Sequence, residues 1–156
     1  MLDAEPFKSL VENAPLVSID LCLVCNGQLL LGKRNNEPLK GHWFTPGGRI
    51  LKNEPWADCL RRVARSELGL EIRSPENFSL MGIWDHFYNN SAVSEIVSTH
   101  YVNLPHYMRM EKKPNLLLDP QHDELCWFDL EEVVNSNGFH EYMRNYALWI
   151  LKEDFE

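Results

Sequence analysis

The sequence predicts an α/β fold in which a mixed β-sheet core is sandwiched between α-helices. Three observations carry the prediction. Residues 16–25 alternate apolar and polar positions, and Asn26-Gly27 separates them from a second apolar run. Residues 54–68 place Trp56, Leu60, Val63, Ala64 and Leu68 at helical spacing. Two further helical patterns, 129–134 and 139–152, end the chain. Strands around a middle helix, with helices last, make a layered α/β arrangement.

Taken in order, Val17, Ile19, Leu21, Leu23 and Cys25 make one face of the first strand, and Ser18, Asp20, Cys22 and Val24 make the other. The period of two predicts a strand with one face on the core. Asn-Gly is a hairpin signal, so Gln28–Arg34 is expected to return as the second strand. Residues 35–49, rich in Pro and Gly, read as a loop. The 54–68 helix is expected to stop at Gly69. Residues 78–88 and 93–104 are aromatic and β-branched and read as strands around the polar loop Asn89-Asn90-Ser91. Residues 105–123 read as a long loop, a length that is often functional. Glu124–Phe128 reads as a short strand.

The 156 residues are expected to form one domain, 1–156, large enough to bury a core. The 44% hydrophobic and 24% charged composition predicts a soluble globular chain. No apolar run reaches the roughly 18–20 residues of a membrane span. The N-terminal MLDAEPFKSL lacks the pattern of a signal peptide. Cys22, Cys25, Cys59 and Cys126 sit in apolar patterns, so reduced thiols and a cytoplasmic location are expected. Cys22-x-x-Cys25 lies in a strand with no partnering Cys or His pair, which argues against a zinc or redox role. The net charge of −8 argues against nucleic acid as a partner. A small anion remains open, given a local arginine cluster, a metal, or both.

The densest signal lies at residues 48–70. Gly48, Glu54, Arg62, Glu67 and Gly69 are spaced 6, 8, 5 and 2 apart. Glu67 follows Val63 by four residues and Leu60 by seven, which puts it on or beside the sheet-facing stripe of its helix. A carboxylate there needs a partner. A magnesium ion is one candidate and an arginine is the other. In Thr45-Pro46-Gly47-Gly48-Arg49 the glycines either form a plain turn or let backbone approach a ligand, where a carbonyl can bind a hard cation. Arg34 and Arg49 are surface arginines or, if they converge on that turn, a fork for a diphosphate. Gln121-His122 ends the long loop, and an imidazole there is a bystander or a proton acceptor near neutral pH.

This 23-residue stretch resembles the Nudix box, the diphosphate-and-magnesium motif of hydrolases acting on nucleotide sugars and nucleoside diphosphates. Val63 and Ser66 stand where an ordinary box has glutamates. Beyond the box, residues 10–130 resemble the GDP-mannose mannosyl hydrolase branch, which lacks the same two glutamates. The likeness rests on Pro15-Leu-Val-Ser-Ile-Asp20, Leu31-Gly-Lys-Arg34, Trp43-Phe-x-Pro-Gly-Gly-Arg49 and Ala64-Arg-Ser-Glu67-Leu-Gly-Leu70. It continues in Trp84-x-His-Phe-Tyr88, Thr99-His-Tyr101 and Gln121-His-Asp-Glu124-x-x-Trp127.

The resemblance implies a Nudix fold and one Mg²⁺ per active site, replaceable by Mn²⁺, held by the Gly47 carbonyl, Glu67 and Gln121. It implies that Arg34 and Arg49 neutralise the leaving diphosphate, and that Asp20, His86 and Tyr101 contact the sugar. His122 is the implied general base, and Glu54 and Arg62 the implied structural pair. It further implies a small nucleotide-sugar substrate and a homodimer. With two box glutamates gone, hydrolysis of GDP-mannose, and by extension GDP-glucose, is expected at the anomeric carbon with inversion. The alternatives are an ordinary pyrophosphohydrolase and a non-catalytic nucleotide-sugar sensor.

Overall fold

The computed structural model describes residues 2–117 and 122–155, with the backbone alone for His122, Asp123 and Phe155. Helix α1 (Ala4–Asn13) precedes the hairpin strands β1 (Leu16–Cys25) and β2 (Gln28–Arg34). Two short strands follow, β3 (Trp43–Phe44) and β4 (Gly47–Arg49), then helix α2 (Trp56–Leu68). Strands β5 (Ser79–Leu80), β6 (Trp84–Tyr88), β7 (Thr99–Met110) and β8 (His122–Asp129) come next, and helices α3 (Leu130–Asn135) and α4 (Glu141–Phe155) close the order.

The described strands form one mixed sheet along the path β3-β2-β1-β7-β5, with β4 joined to β1, β6 to β7 and β8 to β2. Strand β1 is the axis. It pairs antiparallel with β2 at Val24↔Leu29 and with β4 at Asp20↔Gly47, and parallel with β7 from Leu16↔Tyr101 to Cys25↔Met110. The hairpin turns where expected, with both Asn26 and Gly27 at positive φ (52° and 74°), the conformation a two-residue primed turn requires.

Both sheet faces are buried. On one, Cys22, Val24, Leu29 and Leu31 pack with Leu130, Val133, Met143, Tyr146 and Ile150 of α3 and α4. On the other, Ile19, Leu21, Leu23 and Leu30 pack with Cys59, Leu60, Val63, Ala64 and Leu68 of α2. The expectation of a single core face on β1 is thereby corrected. A central strand with a parallel neighbour and helices on both sides buries both faces.

Other boundaries also move. The 35–49 loop contains β3 and β4, and the expected 78–88 strand is split at Gly82, which has φ of 109°. The 93–104 strand begins at Thr99 and runs on to Met110, so residues 105–110 of the expected long loop 105–123 are ladder. Pro105 has no N–H to give the ladder, but its carbonyl accepts the Met81 N–H at 2.9 Å and the residues on either side keep the parallel pairing with β1. Helix α1 was not expected. Its Phe7, Leu10 and Val11 pack on Leu16, Val97 and Tyr101. Helix α2 ends on Gly69, which is left-handed at φ 67° and gives its N–H to the Arg65 carbonyl at 3.0 Å.

Candidate active site

A cavity of about 830 Å³ opens between the ends of β1, β2 and β4, the last turns of α2, and the 35–40 and 91–95 loops. Its wall carries Asp20, Arg34, Gly47, Arg49, Glu67 and Tyr101, six of the residues singled out from sequence. Alternation explains Asp20, which points from β1 to the α4 side of the sheet. Helical periodicity explains Glu67, which faces inward from the last turn of α2.

Glu67 is only 4% exposed, and its Oε2 accepts the Gly47 N–H at 2.8 Å. The helix end and the glycine turn are therefore fastened together. Gly47 has no room for a side chain: a Cβ would stand 2.3 Å from Asp20 Oδ1 and 2.8 Å from the Ile19 carbonyl. The box is braced further by Arg62, which bonds both Glu54 oxygens (2.8 and 2.9 Å) and the Arg49 carbonyl (2.9 Å). The Glu54 carboxyl, whose Oε1 also takes the Leu51 N–H, is held below its usual range chiefly by the bond from Arg62.

A buried carboxylate beside a glycine backbone is hard-oxygen donor chemistry, which fits Mg²⁺ or Mn²⁺ and not a soft metal. Among the described residues, no three His, Cys, Asp or Glu side chains gather as a metal cluster. A cation here therefore needs oxygens beyond Glu67 and Gly47. Gln121, the third expected ligand, lies outside the described residues. The backbone of His122 is described, and it pairs with Arg34 across the end of β2, where the ladder shifts register. That places the His122 backbone at the Arg34 end of the sheet.

The arginines are held apart from solvent disorder in different ways. Arg34 gives its Nε–H to the Pro38 carbonyl at 2.9 Å, tying it to the 35–40 loop. Arg49 lies over the Phe7 ring, with Cζ 4.7 Å from the centroid, a cation–π contact from α1. Both charges are felt at Tyr101. Burial pushes its phenol up, and Arg34 and Arg49 oppose the rise.

Asp20 is 6% exposed. Burial raises its carboxyl from 3.8 to about 7, against a hydrogen bond from Tyr146 and the charge of Arg34. His86 does not line the cavity. It is 1% exposed, stacked face to face on Tyr142 with centroids 3.9 Å apart, and Nδ1 contacts Asn103 Nδ2. Asn103 Oδ1 in turn accepts from the Ser18 hydroxyl. Burial and the nearby charge of His140 lower its imidazole to about 3, so the ring is neutral. The side chain expected to contact the sugar is thus buried and off the cavity wall.

Val63 and Ser66, the two box positions without carboxylates, both lie on the cavity wall. The substitutions therefore alter the site itself. The sequence reading missed Phe7 and Leu2 of the N-terminal segment and Ser18 and Asn103 of the floor, all on the wall. The 7, 10, 11 spacing of α1 was an available signal. The Ser18–Asn103 pair, from strands far apart in sequence, had none.

The NUDIX domain family matches residues 15–150. The chain belongs to the NUDIX hydrolase family. It is 39% identical over 142 residues to the low-salt glycan biosynthesis protein Agl8 of Haloferax volcanii, covering 91% of this chain and 86% of that protein. Among solved structures, the MutT protein of Methanosarcina mazei superposes with a TM-score of 0.72 at 18% identity, over 92% of this chain and 99% of the other. The NUDIX domain of Shewanella oneidensis NrtR, solved with ADP ribose, superposes with a TM-score of 0.69 at 16% identity, over 98% and 99%. At these identities the structures speak to the fold alone.

Proposed function

We propose that this chain is a single-domain, Mg²⁺-dependent hydrolase that splits GDP-mannose, and by the same chemistry GDP-glucose, into GDP and free hexose. The observation that carries the reading is Val63 and Ser66 on the cavity wall. A box used to activate water against phosphorus needs carboxylates, and at these two positions the wall offers an apolar group and a hydroxyl. The name of the Haloferax volcanii relative refers to glycan biosynthesis, in keeping with a nucleotide-sugar substrate.

In this reading Glu67, the Gly47 carbonyl and Gln121 would hold the cation. A bound divalent cation supplies charge neutralisation on the departing diphosphate. Arg34 and Arg49 bind the same group and stabilise the negative charge that grows on it. Asp20 and Tyr101 orient the hexose. His122 accepts a proton from water as the water oxygen bonds to the anomeric carbon. The bond from that carbon to the diphosphate oxygen breaks, and GDP leaves with the electron pair. Entry opposite the leaving group inverts the centre. A diphosphate is a good leaving group, so no acid is needed to protonate it, unlike a glycosidic oxygen.

The test is product analysis by ion-exchange chromatography, with Mg²⁺ and with excess chelator. GDP plus hexose, formed only with metal, supports the reading. GMP plus hexose phosphate would make the chain an ordinary pyrophosphohydrolase, and no product from any nucleotide sugar would make it a sensor.

A further inference from the structure

Tyr146 reaches the site from behind. It belongs to α4 and is fully buried, edge-on to Trp84 at 5.3 Å and tilted over His86 at 5.5 Å. A ring packed in this way has one place for its hydroxyl. That hydroxyl donates to Asp20 Oδ2 at 2.7 Å, across 126 residues of sequence. The other carboxylate oxygen, Oδ1, lies against Gly47, where a Cβ would approach it to 2.3 Å. Asp20 is thus fixed on both sides, by an immobile donor from the C-terminal helix and by the glycine turn. In a buried setting such a bond decides a carboxylate's orientation, because no water competes for it.

We propose that Tyr146 is a positioning residue for the hydrolytic site, its hydroxyl holding the Asp20 carboxylate with Oδ1 at the cavity wall beside Gly47. The proposal rests on the reading of Asp20 as a hexose contact. Tyr146 touches no substrate itself: it is absent from the cavity wall, and its ring belongs to the α3–α4 core. It links the placement of the last helix to the geometry of the site, so α4 has a role in turnover as well as in packing.

Tyr146→Phe keeps the ring and removes one oxygen. The experiment is a double-mutant cycle with Asp20→Ala, which removes the acceptor, read as total nucleotide released, so that it is interpretable whichever bond breaks. Tyr146→Phe is expected to lower kcat by roughly 10–10²-fold, the scale of a misplaced reacting geometry, with KM little changed. In the Asp20→Ala background the same change is expected to have no effect beyond about 2-fold, because the group the hydroxyl holds is already gone. A purely structural defect costs the same in both backgrounds. Multiplying losses, or a Tyr146→Phe enzyme with wild-type kcat, overturns the proposal. A crystal structure of the Tyr146→Phe protein provides a readout without turnover: the Asp20 carboxylate is expected to rotate off Gly47, and an unmoved carboxylate overturns the proposal. Wild-type release of GMP would instead defeat the proposed bond cleavage and leave the coupling measurable.

Discussion

Replacing Asp20 with Asn should stabilise the protein at alkaline pH and leave it unchanged in acid. Asp20 is 6% exposed, and burial raises its carboxyl from 3.8 to about 7. The folded chain keeps this proton up to about pH 7, whereas the unfolded chain releases it near 3.8. Between those values the folded state binds more protons, so stability falls as pH rises and stays low above about 7. At 1.36 kcal/mol per pH unit, and with some loss to relaxation of the surroundings, the penalty is about 2–4 kcal/mol. Asn keeps an oxygen for the Tyr146 hydroxyl and carries no charge. On a domain of this size the change corresponds to a Tm raised by roughly 5–15 °C at pH 8. Calorimetric unfolding of both proteins from pH 4 to pH 9, in chelator, measures it. The two curves should meet near pH 4 and separate as pH rises to 7. Equal stability at pH 8, or a constant offset at every pH, would refute the reasoning. Activity should fall in the same variant, as expected where a strained group serves function.

Two other changes test the remaining walls. Glu67→Gln should lower turnover by at least about 10²-fold, on the scale of losing several kcal/mol of cation-assisted charge stabilisation, while circular dichroism stays native. Steady-state rates across a Mg²⁺ titration check this, and full activity in chelator contradicts it. Phe7→Leu should raise KM by about 2–5-fold with kcat nearly constant, because a cation–π contact of about 0.5–1 kcal/mol to Arg49 is lost. Phe7→Tyr should restore KM, and a Leu variant with unchanged KM removes α1 from the site.

Much of the fold was legible because its signals are local. The β1 strand, the Asn26-Gly27 turn and the Gly69 stop each depend on neighbouring residues, and all three are in place, the turn and the stop with the positive φ they require. What was illegible depends on pairing. Strands β3 and β4 are two and three residues long and exist because β2 and β1 offer edges to them. Residues 105–110 form strand through the parallel ladder with β1, despite Pro105. The site divides in the same way. Gly47, Arg49 and Glu67 sit within one motif, and Arg34 ends the hairpin beside it. Phe7 and Tyr146 come from opposite ends of the chain and meet the site only after α1 and α4 have packed. His86, expected at the sugar, is buried against Tyr142 and off the wall.

The central claim is that water attacks carbon. Hydrolysis of GDP-mannose in ¹⁸O-labelled water, with the products separated and weighed by mass spectrometry, tests it most directly. The label should appear in mannose, with GDP unlabelled, and His122→Ala should slow that same reaction by roughly 10²–10⁴-fold, the range for a positioned base. Label in a phosphate product instead would contradict the account, because it would place the attack on phosphorus.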